Sequence, residues 1–433
     1  MENRRDFLKE SGLGVAALAL AGTATAQQAN EQLVVGVIGC GGMGNNHIRM
    51  LVNNKGVRVA YVCDPDENRL AAAAKIVEGA GKPPKAVQDL RQVLDDKSVD
   101  AVWIATPDHW HGPATILACA AGKHVYVEKP CSHNIREGRL MVEAARRHKK
   151  VVQTGTQSRS TKHVLEAMQR IRDGAIGDVL VAKAWNSQKR RNIGHAKPSE
   201  SPPKFDYDLW VGPAPMVPFQ ANRHHYTWHW WYDFGTGDMG NDGVHQLDVA
   251  RWGLGVDTHP SNIAALGGKY FFDDDQQFPD TMYVAFEYPG DGKVGQQRQL
   301  IFEQRIWSPY VQEGYENGNA FYGTKGYVLV GSNGGFQLFG EGNKLIEQTT
   351  GRADVAAHHR NFIDCIKSGT RPSADIEVGH LSATLCHLGN IATRTSHMLQ
   401  FDPRSEQITN NSDANALVRR TYRAGHWATP QGV

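Results

Sequence analysis

The sequence predicts an α/β protein whose N-terminal half is a doubly wound parallel sheet. Three observations carry this. The β-branched run Leu33–Ile38 leads directly into Gly39-Cys40-Gly41-Gly42-Met43-Gly44. Strand-like and helix-like segments then alternate as far as Gly155. The polar motifs between them fall at the carboxyl ends of the strand-like runs, the edge where open α/β sheets bind ligands.

Ahead of the first strand, Asn3-Arg4-Arg5-Asp6-Phe7-Leu8-Lys9 precedes an apolar run from Gly12 to Ala21 and then Ala24-Thr25-Ala26. This is the pattern of a twin-arginine signal peptide with a small-residue cleavage site. The apolar run is too short and too rich in Ala and Gly to span a bilayer well. Residues 1–26 are expected to be removed, and the mature chain to begin near Gln27. The Tat translocase would be a partner during export to the periplasm or beyond. Residues 33–153 then form a nucleotide-binding domain and 154–433 a second domain.

Within the first domain, the glycine pattern is G-x-G-x-x-G with a strand before it and a helix, Asn45 to Val52, after it. Gly39 permits the tight turn, Gly41 a close backbone approach to a pyrophosphate, and Gly44 close helix–strand packing; the loop as a whole, with Gly42 and Met43, cradles the phosphates. The next strand, Arg58–Cys63, ends at Asp64, twenty residues beyond Gly44. An acid there binds the adenine ribose 2′-hydroxyl and repels a 2′-phosphate, so NAD is expected rather than NADP. Arg69 is the nearby basic group that would favour a phosphate. A turn or cap before Pro65 is the structural alternative for Asp64. The run 100–105 is the next strand, and Thr106-Pro107-Asp108-His109-Trp110-His111 follows it. A helix over Ala114–Ala121 and a strand over His124–Val127 lead to Glu128-Lys129-Pro130. An amphipathic helix, Arg136–Lys149, and a last strand, Val151–Gly155, close the domain.

Forty-seven basic residues against forty-five acidic ones leave a net charge of +2, which gives no reason to expect nucleic acid or an anionic membrane as partner. No two of the six cysteines form a CxxC pair, and Cys40 and Cys63 lie in apolar runs, so buried structural thiols are expected.

With the Gly39–Gly44 loop, Ala105-Thr106-Pro107 with His111, Glu128-Lys129-Pro130 and a Gly-rich segment ending in His245, the chain resembles the Gfo/Idh/MocA oxidoreductases, the glucose–fructose oxidoreductase and inositol dehydrogenase family. The resemblance runs from about Leu33 to about Trp427. It implies a Rossmann domain followed by a C-terminal α+β domain with a large, open, mainly antiparallel sheet. That sheet would cover the nicotinamide, wall the substrate site and pair subunits into a homo-oligomer. The resemblance further places Gln157 beside the cofactor and Arg159 near the substrate. It also implies an acid and, four residues later, a histidine aimed at the substrate. His245 matches the histidine, but Asn241 stands where the acid would be. Asp242 is adjacent and would point elsewhere on a helical turn, although it stays among the candidate substrate contacts.

In the second half, 179–185 reads as a strand and Arg190 to Phe219 as a long irregular loop. An aromatic and histidine-rich segment from His224 to Tyr232 follows. It suits a wall that stacks on sugar rings, with Trp228 as the representative contact; an aromatic core or a subunit interface is the structural alternative. The histidine spacing defines no metal site, and none is expected. The stretches Thr281–Tyr288, Gln299–Gln304 and 326–330 read as strands. His358–Ser368 and Val378–His397 read as helices. The tail from Phe401 should wrap along the surface.

Oxidising a secondary alcohol requires hydride transfer and loss of the hydroxyl proton. Lys129, in a cleft beside the nicotinamide, and His245 are the candidate acid/base groups. Glu128 suits ribose hydroxyls better. The expected activity is an NAD-dependent oxidation of a sugar or glycoside. The alternative is a redox-neutral cleavage or epimerisation through a keto-sugar with NAD held permanently, which some members of the family carry out and which export favours. The intact Lys129 and His245 argue against a third reading, a binding module without catalysis.

Overall fold

In the computed structural model, residues 32–290, 293, 295–308 and 310–433 are described; the signal-peptide reading lies outside them. Among the described residues, no helix is long and apolar enough to cross a membrane.

Six strands form the first sheet: β1 (Leu33–Ile38), β2 (Val57–Cys63), β3 (Lys85–Val87), β4 (Ala101–Ile104), β5 (His124–Val127) and β6 (Val152–Thr154). Their order is β3-β2-β1-β4-β5-β6, and every pair is parallel. Both faces are covered, which is why these strands read as continuous apolar runs rather than alternating ones. Part of that cover comes from the far end of the chain. Phe362 and Ile363, on the helix Val355–Ser368, join Val35, Val37, Trp103 and Tyr126 in one buried cluster. The helix after β4 starts at Asp108, six residues before the expected Ala114, and carries Pro113 in its second turn.

The second sheet has ten strands: β7 (Val179–Asn186), β8 (Asn262–Gly268), β9 (Thr281–Tyr288), β10 (Arg298–Arg305), β11 (Asn317–Gly323), β12 (Gly326–Gly331), β13 (Gly335–Gly340), β14 (Leu345–Gln348), β15 (Leu399–Asp402) and β16 (Gln407–Ile408). The order is β14-β13-β12-β11-β7-β10-β9-β8-β15-β16. Among the described residues of this sheet, only β7 and β10 pair in parallel; the rest are antiparallel. One face packs on the helices Val244–Leu254 and Ile376–Thr395 around Phe286, Phe302, Leu247 and Leu388. The other face leaves Leu266, Tyr283 and Tyr322 exposed.

Two expectations are corrected. The segment from Arg190 to Phe219 is not wholly irregular, because Asp206 caps a short helix, Tyr207–Val211, by accepting from the Leu209 amide at 2.9 Å. Phe205, Trp210, Phe219, Trp231 and Phe234 give this segment a small aromatic core of its own. The tail does more than wrap the surface: it adds β15, β16 and the helix Ser412–Ala416, and buries Phe401, Ile408 and Val418 in the main core. Its apolar residues are few but regularly placed. All six cysteines are buried and free.

Candidate active site

A cavity of about 550 Å³ runs from the glycine loop to the helix that carries His245. At its first end, Gly39 has φ +92°, and a Cβ there would come within 2.5 Å of the Ala105 carbonyl. A Cβ on Gly44 would meet the Gly39 carbonyl oxygen at 1.8 Å, so Gly44 packs helix on strand and stays outside the cavity wall. Gly41, at the start of the helix Gly42–Val52, has no side chain capping that helix. Unclaimed N–H groups and the positive end of the helix therefore face the cavity, as an anionic pyrophosphate requires. Gly39, Gly41, Gly42 and Met43 all line it.

Asp64 closes this end. Its carboxylate accepts the Cys40 amide at 2.7 Å and the Asp66 amide at 2.9 Å, and burial pushes its pKa up. The helix that follows is capped by Asp66, which accepts from the Asn68 amide at 2.8 Å. Asp64 is therefore not the cap, and it lines the cavity. Arg69 lies against the glycine loop, close enough that a Cβ on Gly41 would meet its guanidinium at 2.9 Å. If Asp64 rather than Arg69 decides the cofactor, Asp64→Ser should weaken NAD binding relative to NADP by about tenfold. Competitive titration of the two cofactors reads this directly, and an unchanged ratio would assign the preference elsewhere.

In the middle of the cavity, His111 joins two strand ends. Its Nδ1 lies 2.6 Å from the Pro130 carbonyl oxygen and its Nε2 2.9 Å from that of Thr106. Thr106, Pro107, Glu128 and Gln157 line the wall with it, and the buried Thr106 hydroxyl has no hydrogen-bond partner among the described residues. These groups fit the ribose and amide portions of a dinucleotide. Glu128 is itself held from behind. His47 Nε2 lies 3.0 Å from Glu128 Oε1, and His47 Nδ1 lies 2.9 Å from His359 Nε2. Burial raises the Glu128 carboxyl, but the His47 hydrogen bond together with the charges of His47, Lys129 and His245 outweighs it and leaves the pKa at about 2. Sequence reading missed His47. The available signal was a polar residue on the buried face of the first helix, five positions after Gly42.

At the far end, Lys129 Nζ donates to the Asn241 carbonyl oxygen at 2.7 Å and to Asn241 Oδ1 at 3.0 Å. An ammonium has three N–H groups, so one remains for a ligand. Met239–Gly243 forms a π turn ahead of the helix Val244–Leu254. In an α-helix neighbouring residues diverge by about 100°; the wider π turn narrows that angle. Asn241, Asp242 and His245 consequently all line the cavity, which corrects the expectation that Asp242 points away. Arg190 pairs with Asp242 and also holds Asp238, at 3.0 Å. Asp238 in turn accepts from the Asn241 amide at 3.2 Å. Burial raises the Asp242 carboxyl, but the Lys129 and Arg190 cations outweigh it and hold it below its usual range. Burial, reinforced by Lys129, lowers His245 to about 4, so its imidazole is neutral at ordinary pH.

Arg159 is placed differently from expectation. It does not line the cavity. Its guanidinium grips Asp248 with two bonds of 2.7 and 2.9 Å and lies over the Trp252 ring. Asp248 is fully buried three residues beyond His245 and needs a counter-charge, which accounts for this position. The aromatic segment divides: Trp228, His229 and Tyr226 line the cavity, whereas Trp230 and Trp231 are buried. Asp66, His224 and His225 bring three potential ligand atoms within 4.8 Å of one another, although Asp66 already bonds His225 at 2.8 Å.

Residues 33–156 match the oxidoreductase family, NAD-binding Rossmann fold, and residues 181–429 match the oxidoreductase family, C-terminal alpha/beta domain. The chain belongs to the Gfo/Idh/MocA oxidoreductase family. Inositol 2-dehydrogenase 2 of Saccharopolyspora erythraea is 34% identical over 51% of this chain and 53% of its own length. A glycosyl hydrolase family 109 protein of the same organism is 30% identical over 41% of this chain and 44% of its own length. The chain thus spans about half the length of the curated relatives it matches. Among solved structures, the WlbA dehydrogenase of Bordetella pertussis, in complex with NADH and UDP-GlcNAcA, shares the fold. Its TM-score is 0.64 at 18% identity, covering 86% of this chain and 99% of that one.

Proposed function

We propose that this protein is an NAD-dependent oxidoreductase acting on a secondary hydroxyl of a sugar or glycoside. The observation that carries this reading is the continuity of one cavity from the glycine loop to Lys129, Asn241, Asp242 and His245. One end fits a dinucleotide and the other collects groups that handle protons and hydroxyls. Bound NAD supplies the hydride acceptor. His245 makes no hydrogen bond to another described residue, so its neutral ring is free to accept the hydroxyl proton. Lys129, with one N–H uncommitted, orients the same oxygen or exchanges its proton. Asn241 and Asp242 suit neighbouring hydroxyls, and the Trp228 ring suits an apolar sugar face.

A second reading, redox-neutral cleavage or epimerisation with retained NAD, has a specific observation in its favour. The segment before the aromatic run is tied across the adenosine end of the cavity. The Asp206 amide donates to the Pro65 carbonyl at 3.0 Å, and the Glu67 amide donates to that of Lys204 at 2.9 Å. His225 adds its bond to Asp66, and Trp427 from the tail joins the wall. A dinucleotide beneath this cover would leave more slowly than from an uncovered site. The His225→Ala variant, loaded with the reduced cofactor, should therefore release NADH several-fold faster, as followed by the change in NADH fluorescence on dilution; an unchanged release rate would remove this support. Retention also agrees with the twin-arginine reading of Arg4-Arg5, since the twin-arginine route carries folded proteins. The exposed sheet face with Leu266, Tyr283 and Tyr322 is the surface proposed to pair with a second copy.

One experiment separates the two readings. The enzyme, purified with whatever cofactor it retains, is incubated in deuterated water with α- and β-glycosides and no added NAD. Released aglycone, with deuterium on the carbon beside the oxidised one, establishes the redox-neutral reaction. Keto-sugar and NADH appearing together, only after NAD is added, establish the dehydrogenase. Neither product with any glycoside or free sugar overturns both.

A further inference from the structure

A second cavity, of about 210 Å³, lies between the segment Tyr232–Thr236, the N-terminus of the helix Ile135–Arg147, the helix Ile376–Thr395 and the tail at Leu417–Thr421. It is separate from the cavity described above, but the two share a wall. The Thr236 hydroxyl donates to Asp108 Oδ2 at 2.6 Å, and Asp108 lines the larger cavity while Thr236 lines the smaller.

The chemistry of the smaller cavity is one-sided. Arg394, Arg419 and Arg420 line it against a single acid, Asp233. Arg394 is exposed and lies 4.0 Å above the Tyr232 ring, and it has no carboxylate partner among the described residues. Neither has Arg419, which is also exposed. Arg420 is almost wholly buried. Two of its nitrogens serve Glu137 and the His109 carbonyl, both at 2.8 Å, and its remaining Nη1 has no acceptor among the described residues. Asn134 uses its oxygen to cap the helix and leaves its buried amide N–H₂ unpartnered. The His133 ring, nine-tenths buried, lies by the Tyr232 backbone, yet neither nitrogen meets a partner at hydrogen-bond geometry. Asp233 forms no ion pair among the described residues; burial pushes its carboxyl up, against the pull of the Arg223, Arg420 and Arg394 cations.

Buried donors without acceptors are costly, and native structures provide partners for nearly all of them. Here several converge on one cavity, with two unpaired guanidiniums at its mouth. We infer that this cavity binds a small oxyanion, a phosphate or carboxylate group, held by Arg394 and Arg419 at the mouth and by Arg420, Asn134 and His133 within. Guanidinium groups match such oxyanions in two-pronged geometry. A ligand here sits one side chain from the wall of the catalytic cavity, through Thr236 and Asp108.

The test uses the NAD-saturated enzyme, so that the glycine loop is already filled. Isothermal titration with inorganic phosphate, and separately with acetate, is run in chloride buffer of constant ionic strength. Saturable binding of either is expected, and which of the two binds assigns the phosphate or the carboxylate class. The Arg394→Ala/Arg419→Ala variant should bind about tenfold or more weakly, with its NAD affinity unchanged. Both side chains reach the surface, so their truncation leaves the core intact; the single charge reversal Arg419→Glu provides the same readout if the double variant folds poorly. Absence of saturable binding by the wild type, or full affinity in the variants, overturns the inference.

Discussion

Replacing Lys129 by methionine should lower the rate of sugar oxidation by about two to four orders of magnitude, the range that a positioned proton-transfer group contributes. Methionine keeps the length of the stem and removes only the ammonium, so the cavity wall persists. The bonds lost are those to the Asn241 carbonyl and side chain, which lie at the substrate end. The glycine loop, Asp64 and the Glu128–His47 hydrogen bond are untouched, and Glu128 loses only the lesser pull of the Lys129 cation, so NAD affinity should hold within a few-fold. The decisive comparison is kcat against cofactor affinity in the same preparation. Loss of turnover with cofactor retained gives Lys129 its role in the chemistry. Wild-type turnover would transfer the proton to His245 alone, and His245→Gln should then carry the larger loss. A loss of both NAD binding and turnover would instead assign Lys129 to cofactor binding.

The parts of this site that were legible in the sequence are those whose chemistry is local. Gly39–Gly44 declares itself because a strand precedes it, a helix follows it and the turn between needs residues without a Cβ. Asp64 and Glu128-Lys129-Pro130 are legible because each ends a buried parallel strand, and such strands stand out as short continuous apolar runs; β1 and β5 match their expected bounds, and β2 begins one residue earlier. Antiparallel β9, with its mixed exposure, was read to the residue as well. The missing parts depend on residues far apart in the chain. His47 matters because it reaches Glu128, 81 positions away, and His359, 312 positions away. Arg190 matters because it spans 48 and 52 positions to Asp238 and Asp242. No pattern in the intervening sequence announces these partners. Asp242 differs for another reason: α-helical spacing turns it away from Asn241 and His245, whereas Met239–Gly243 forms a π turn. The second cavity belongs to the same class of omission, since its three arginines, its aspartate and its unpartnered donors come from four separate segments.

The reassignment of Arg159 makes the second large prediction. Its ion pair with Asp248 is almost wholly buried, and Ser382 donates to the same carboxylate at 2.7 Å. Burial alone would raise the Asp248 carboxyl; Arg159 outweighs it and holds it below its usual range. Removing the guanidinium therefore leaves an acid that must either stay charged without its main partner or take up a proton. Breaking a buried pair in this way costs about 3–5 kcal/mol. The Arg159→Met variant should accordingly unfold at distinctly lower urea concentration than the wild type. Adding Asp248→Asn removes the orphaned charge and should recover a substantial part of the loss, a coupling that a double-mutant cycle measures. Because Asp248 and His245 share the helix Val244–Leu254, turnover should fall along with stability, while NAD affinity stays close to that of the wild type. A variant as stable as the wild type, with substrate affinity lost instead, would return Arg159 to the substrate-binding role that the family resemblance implies. The geometry favours the structural role: a guanidinium already holding a carboxylate with two bonds, stacked on Trp252 and absent from the cavity wall, has little left to offer a sugar.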